Sequence, residues 1–174
     1  VVVGKTELHQ DEDGNHGREE TLEQAREAVL VEARERGEKL TPAQSEDMAW
    51  QRIWRAERHA GLSRLREHAR DVEYLACDAT DPDRVDSLIK TVRRRYGKID
   101  LVIHGGGGLH QKSVGHLTKE EFLAGMRNKA LSTLALLNAL AESKTTAFVN
   151  LSSVVGRWGN DGQASYAAGH EVAA

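Results

Sequence analysis

The stretch NLSSVVGRWGNDGQASYAAGH at residues 150–170 contains two hydroxyl groups whose types and spacing could support proton transfer. Ser153 follows a predicted strand, and Tyr166 comes thirteen residues later, at the start of a predicted helix. A phenol can donate a proton to an oxygen atom that gains charge, and a serine hydroxyl can hydrogen-bond and orient the same oxygen. Open α/β sheets bind ligands at the carboxyl ends of their strands. The two residues are therefore candidate catalytic groups.

A third candidate is Lys129, on the predicted helix MRNKALSTLALLNAL that precedes this strand. The ordinary pKa of a tyrosine, about 10, is too high for easy proton transfer near neutrality. A nearby ammonium group favours the phenolate and lowers such a pKa. Taken singly, a serine in a turn, a packed tyrosine and a solvated lysine are common structural features. The three together, on these predicted elements, favour a catalytic set.

This combination resembles the short-chain dehydrogenase/reductase family, in which a serine after the fifth strand and a tyrosine on the next helix act together. The segment HGGGG at 104–108 is similar to the family's Gly-rich turn after the fourth strand, and CDATD at 77–81 is similar to its adenine-contacting aspartate turn. The resemblance implies an oxidoreductase with a nicotinamide cofactor. In such an enzyme, Tyr166 would donate a proton to the substrate carbonyl oxygen.

Lys129 makes the resemblance specific to one group within this family. It occupies the helix position where most family members have asparagine, and where ketoreductase domains of polyketide synthases and polyunsaturated fatty acid synthases have lysine. Those domains usually have asparagine four residues after the tyrosine, and this chain has His170 there. For His170 a structural hydrogen bond is favoured over a catalytic role, because one helical turn puts it on the same face as Tyr166.

The resemblance also implies a cofactor site. A basic residue just after the family's second strand contacts the 2'-phosphate of NADPH, whereas an acidic residue there would suit NADH. Glycines after the fourth strand let the cofactor approach the backbone closely. The expected contacts are Lys5 and Thr6 for the 2'-phosphate, Asp78 and Ala79 for adenine, and Gly105 and Gly106 for the backbone approach.

The elements that must position these residues alternate between strand and helix. VEYLACD, IDLVIHG and TAFVNLSS predict three strands after residue 72, and the Asp-Pro pair at 81–82 predicts a helix start. Thr118 and Glu121 form a capping box for a helix expected to run to about Glu142. The near-continuous apolar strands predict a parallel sheet covered on both faces. The predicted fold class is α/β, a Rossmann-like doubly wound parallel sheet.

A charged helical insert is predicted at residues 11–72, similar to one in the ketoreductases of polyunsaturated fatty acid synthases. Thr41 and Gln44 predict a capping box for its second helix. Trp50 and Trp54 fall on one face of that helix, and we expect them to pack against the body of the domain.

A further strand is predicted at Val1, where a β-branched run begins. If this is the family's second strand, the first strand, its Gly-rich phosphate turn and the C-terminal strands are missing. Residues 1–174 would then form a partial NADP-binding ketoreductase domain. Because the first strand is central in the 3-2-1-4-5 order, strands two and three would have no link to four and five. A fragment of a larger synthase and an incomplete gene product are both consistent with this expectation.

Charge and composition argue against several other classes. A net charge of -3, with basic and acidic residues interleaved, offers no basic surface for nucleic acid. No apolar run reaches membrane length. The lone Cys77 excludes an internal disulfide and fits a reducing cytoplasm. His104, His110 and His116 lie six apart, which matches no common metal-binding spacing.

The function implied by the resemblance is NADPH-dependent reduction of a β-ketoacyl thioester. The substrate would be tethered to an acyl carrier domain of a larger multidomain polyketide or fatty acid synthase. Two alternatives stay open: a stand-alone short-chain reductase of a small carbonyl compound, and a noncatalytic nucleotide-binding or scaffold domain. Flanking sequence would separate the first two, and the intact Ser153, Tyr166 and Lys129 set argues against the third.

Overall fold

A computed structural model describes residues 1–7, 20–108 and 111–174 of the chain. Two compact units result: one runs from Tyr74 to Ala174 and includes the N-terminal strand, and the other contains the first two helices. Part of the predicted insert, residues 11–19, lies outside the described residues. The elements are β1 (Val2–Gly4), α1 (Leu22–Glu35), α2 (Pro42–His68), β2 (Tyr74–Ala76), α3 (Pro82–Tyr96), β3 (Leu101–His104), a 3-10 helix (Val114–His116), α4 (Lys119–Leu140), β4 (Ala147–Asn150), α5 (Val154–Trp158) and α6 (Ala164–Val172).

The strands form two separate parallel pairs. β1 pairs with β2, and β3 pairs with β4, with Ile103 opposite Val149. Parallel strands need a crossover between them, and helices supply it here, as expected for an α/β fold. Within the described residues no strand joins the two pairs. This agrees with the predicted separation of strands two and three from strands four and five.

The core of the unit that contains residues Tyr74–Ala174 includes side chains from β3, β4, α3 and α4. Val102 and Phe148, on the two strands, pack against the buried cluster. Cys77 belongs to that cluster, as expected for a small buried hydrophobe. The other buried members are Val85, Ile89, Ala135 and Leu140.

The opposite face of the β3–β4 pair is exposed, so the prediction of a sheet covered on both faces was wrong for the described residues. Leu101, Ile103 and Val149 are all exposed on the strands. Successive side chains of a strand point to opposite faces, and these three alternate with Val102 and Phe148. An apolar strand indicates that both of its faces can be covered, but not whether a covering segment is present.

The helix starts follow local signals. Asp81 caps α3 by accepting from two backbone N–H groups of the first turn. Thr118 and Glu121 form the predicted capping box of α4. Such caps satisfy N–H groups that have no partner within the helix. The helix α4 begins and ends near its predicted bounds. Lys129 lies in the middle of it.

The helices α1 and α2 pack against each other through small and aliphatic side chains. The Thr41–Gln44 capping box forms at α2 as predicted. Trp50 and Trp54 are exposed and stack on each other, with ring centroids 5.8 Å apart. The buried face of each helix is formed by other residues. The buried members are Ala25, Val29 and Ala33 on α1, and Ser45, Ala49 and Leu62 on α2.

Candidate active site

The ammonium group of Lys129 lies at the carboxyl ends of β3 and β4. Its Nζ donates to the backbone carbonyl of Leu151 at 2.8 Å and to that of His104 at 3.4 Å. Lys129 is only 2% exposed, and this burial lowers its pKa. A buried cation needs polar partners to offset its lost hydration, and the two carbonyls supply them. Lys129 is thus held in one position instead of being solvated on the helix surface.

His104 is the last residue of β3, directly before the Gly-rich turn, and its side chain is buried. Its Nε2 lies 3.0 Å from the Oγ of Ser132, one turn further along α4 than Lys129. Burial, and then the charge of Lys129, lower the pKa of His104 to about 4. A neutral imidazole therefore lies beside the buried ammonium. In the sequence, His104 was weighed only as a metal ligand, and its spacing argued against that role; a polar residue at the end of an apolar strand was the signal that could have identified it.

Tyr166 lies in the first turn of α6, and its ring contacts His170 one turn later. The two ring centroids are 4.3 Å apart, with an interplanar angle of 52°. His170 is buried, and its Nδ1 lies 3.4 Å from the hydroxyl of Ser152. The shared face predicted for Tyr166 and His170 is therefore present. The contact from His170 to Ser152 links the tyrosine ring to the segment that follows β4.

Two glycines allow the surrounding segments to approach closely. A Cβ placed on Gly107 would lie 3.9 Å from His170 Nε2 and 4.0 Å from Lys129 Cδ. The Gly-rich turn therefore lies next to both side chains. A Cβ on Gly169 would lie 2.9 Å from the backbone oxygen of Met126, so α6 packs tightly on α4 at this point. Neither glycine was among the predicted cofactor contacts.

Ser153 follows β4 and caps the short helix α5. Its Oγ accepts a hydrogen bond from the N–H of Val155 at 3.2 Å. Because that bond uses an oxygen lone pair, the hydroxyl proton is left to donate elsewhere. In the described part of the chain, no hydrogen bond joins Tyr166 to Ser153 or to Lys129. Ser153 follows β4 and the Lys129 ammonium lies at the carboxyl ends of β3 and β4, while Tyr166 is connected to this end of the sheet through its contact with His170.

The second candidate region lies at the carboxyl ends of β1 and β2. Lys5 Nζ is 2.8 Å from Asp78 Oδ2, and Thr80 donates to Asp78 Oδ1 from its N–H at 3.0 Å and its hydroxyl at 2.7 Å. The hydrogen bond from Lys5, followed by those from Thr80, holds the pKa of Asp78 well below its usual range. The side chain of Lys5 is 73% exposed, so it can also reach an added anion.

The remaining predicted cofactor residues follow β1, β2 and β3. Thr6 accepts a hydrogen bond through its backbone carbonyl, and Ala79 packs against the core beside α3. Gly105 and Gly106 are exposed after β3, and a Cβ on Gly106 would lie only 2.8 Å from His104 Cε1. The backbone at this turn is exposed and carries no side chains, so a ligand could approach its main chain closely.

Other kinds of site find little support in the described ranges. No cluster of three or more potential ligands there could hold a metal ion, and His110 lies outside these ranges. Among the same residues, no helix has both the length and the apolar character needed to span a membrane.

Comparison with known proteins identifies the family. The family model of the KR domain matches residues 22–173. The chain belongs to the KR-domain family. This membership confirms the predicted relationship to ketoreductase domains.

Curated relatives of this KR-domain chain include synthases and separate reductases. A stretch of 97 residues is 38% identical to highly-reducing polyketide synthase 1 of Aureobasidium melanogenum, covering 56% of this chain and 4% of the synthase. A stretch of 98 residues is 26% identical to the 3-oxoacyl-(acyl-carrier-protein) reductase FabG of Vibrio cholerae, covering 54% of this chain and 40% of FabG. The chain thus spans less than half the length of these relatives.

Solved structures support the same fold. The KR-domain chain superposes on a ketoreductase domain from the bacillaene assembly line with a TM-score of 0.63 and 31% identity, covering 67% of this chain and 28% of that one. An N-terminal ketoreductase from the macrolactin assembly line gives a TM-score of 0.61 and 26% identity, covering 67% and 24%. The predicted Rossmann-like α/β fold is therefore confirmed.

Proposed function

We propose that this KR-domain chain catalyses the NADPH-dependent reduction of a β-ketoacyl thioester to the β-hydroxyacyl thioester. The observation that carries the proposal is the buried ammonium of Lys129, held at the strand ends beside the Gly-rich turn and the Tyr166–His170 pair. Similarity to FabG and to a polyketide synthase supports the substrate class. The proposed setting is a cytoplasmic multidomain synthase, in which an acyl carrier domain presents the substrate.

The proposed catalytic residues have separate roles. Tyr166 donates its phenolic proton to the ketone oxygen as that oxygen gains negative charge. Ser153, whose Oγ already accepts from Val155, donates its own hydroxyl proton in a hydrogen bond that orients the same oxygen. Lys129 supplies a fixed positive charge that stabilises the phenolate left on Tyr166. When bound, NADPH supplies the hydride that reduces the ketone carbon.

The proposed cofactor residues lie at the carboxyl ends of three strands. The lysine after β1 already binds one anion, the carboxylate of Asp78, and its exposure lets it bind a phosphate as well. The glycines after β3 leave the backbone accessible. The proposed contacts are Lys5 and Thr6 to the 2'-phosphate, Asp78 and Ala79 to the adenine, and Gly105 and Gly106 along the dinucleotide.

The test is Tyr166→Phe in the full-length protein that contains this chain. NADPH oxidation is followed with a β-ketoacyl thioester, both free and attached to an acyl carrier domain. We expect kcat to fall by about 10²–10⁴-fold with little change in NADPH affinity, because the ring stays and only the proton donor is removed. The matched control is Tyr96→Phe, since Tyr96 lies exposed on α3.

Two outcomes would contradict the proposal. Full activity in Tyr166→Phe would exclude Tyr166 as the proton donor. Reduction of a small free ketone, with no activity on the carrier-bound thioester, would favour the stand-alone reductase instead.

A further inference from the structure

His170 is held from several sides next to Tyr166. Its ring lies 4.3 Å from the tyrosine ring, and its Nδ1 lies 3.4 Å from the Ser152 hydroxyl. The backbone of α5 approaches it so closely that a Cβ on Gly156 would lie 3.0 Å from His170 Cβ. His170 is therefore packed between α5 and Tyr166, with its ring against that of the tyrosine.

The charge that acts on His170 comes from Lys129 on α4. Both side chains lie beside Gly107, at 3.9 Å and 4.0 Å from the position of a Cβ there. Burial, and then the charge of Lys129, lower the pKa of His170, so its imidazole is neutral at neutral pH. The other charged or titratable groups on the packed elements are Tyr166, which is half-buried, and several exposed side chains: Glu171 on α6, Arg157 on α5, and Lys119, Glu120, Glu121 and Arg127 on α4.

We propose that neutral His170 is a positioning residue that holds the ring of Tyr166 for proton donation, and that protonation of His170 disables the site. This inference rests on the proposed function of Tyr166. A protonated imidazole would add a second positive charge to the buried space that contains the Lys129 ammonium, and none of its contacts with the described residues is an anion. Its packing against Tyr166 would then be lost in exchange for hydration. The imidazole therefore couples the position of the tyrosine ring to pH.

The first experiment measures kcat against pH in the full-length protein. We expect the kcat of the wild type to fall on the acid side by about tenfold per pH unit below the pKa of His170. His170→Asn can still hydrogen-bond Ser152 but cannot be protonated, so the acid-side fall should disappear. His116→Asn is the matched control, because His116 is exposed on the 3-10 helix, and it should keep the fall.

A second variant tests positioning directly. His170→Leu fills similar space without the Ser152 contact, and we expect kcat to fall about 10–100-fold at every pH while the KM for NADPH is unchanged. An acid-side fall that persists in His170→Asn would overturn the inference. So would full turnover in His170→Leu.

An NMR titration of histidine- and tyrosine-labelled protein provides a readout that needs no turnover. The His170 signal, identified by its absence in His170→Asn, should titrate below the ordinary pKa of histidine and shift upward in Lys129→Met. The Tyr166 ring signal should follow the same titration. A Tyr166 signal that does not change as His170 titrates would overturn the inference, even in an active protein. An inactive protein in which the two signals titrate together would contradict only the proposed function.

Discussion

Two lysines at the carboxyl ends of the two strand pairs have very different surroundings. Lys5 is largely exposed and pairs with the carboxylate of Asp78, whereas Lys129 is buried and donates to the backbone carbonyls of Leu151 and His104. An exposed ion pair contributes only about 0–1 kcal/mol, so it can be exchanged for a new anion at small cost. A buried ammonium between fixed carbonyls is already oriented before a substrate arrives.

This contrast matches the two proposed roles, cofactor binding for Lys5 and proton transfer for Lys129. The accessible cation suits recognition of a ligand that arrives and leaves, since it can bind another anion. The buried cation suits a reaction, because no solvent must reorganise around it while charge moves. Residues that are costly to bury are expected where function requires them.

The largest expected effect tests whether Lys129 and Tyr166 act as one unit. Tyr166→Phe and Lys129→Met should each lower kcat, the first by about 10²–10⁴-fold. The double variant should be barely slower than Tyr166→Phe alone, because both residues serve one proton transfer. Lys90→Met, on the exposed side of α3, is the control and should leave kcat unchanged. Additive losses in this cycle would show that the buried cation acts independently of the tyrosine.

A smaller effect concerns stability around the buried cation. The pKa of His104 is lowered to about 4, so the folded state resists protonation that the unfolded chain accepts near pH 6.5. The free energy of unfolding should therefore be greatest above pH 6.5 and fall by on the order of 3 kcal/mol as pH decreases to about 4. Denaturant unfolding across this range measures it. His104→Asn should remove most of the fall and His116→Asn should not; an identical fall in both would contradict the assignment.

The smallest effect concerns the exposed cation. Lys5→Glu should weaken the use of NADPH far more than that of NADH, because the 2'-phosphate would lose a charge-assisted hydrogen bond of about 1.5–3 kcal/mol. This corresponds to a change of about 10- to 150-fold in the ratio of kcat/KM for the two cofactors. Lys98→Glu, beside Asp100, is the control. An unchanged ratio in Lys5→Glu would mean that the exposed lysine does not recognise the phosphate.

Local signals in the sequence were sufficient for most of the elements. Thr118 and Glu121 marked the start of α4, and the apolar runs marked all four strands. The one-turn spacing of Tyr166 and His170 predicted their shared face, which the ring contact confirms. These features depend on interactions within a turn or on strand periodicity, and both can be read over a few residues.

The sequence by itself therefore determined the order of helices and strands, their caps and the resemblance to ketoreductases. Only the tertiary structure decided that Lys129 is buried between two carbonyls, that His104 is neutral beside it, and that Trp50 and Trp54 are exposed. The physical reason is that burial and pKa depend on which distant segments cover a side chain. The residues next to Lys129 in the sequence do not reveal that the ends of β3 and β4 and the helix α6 lie around its ammonium group.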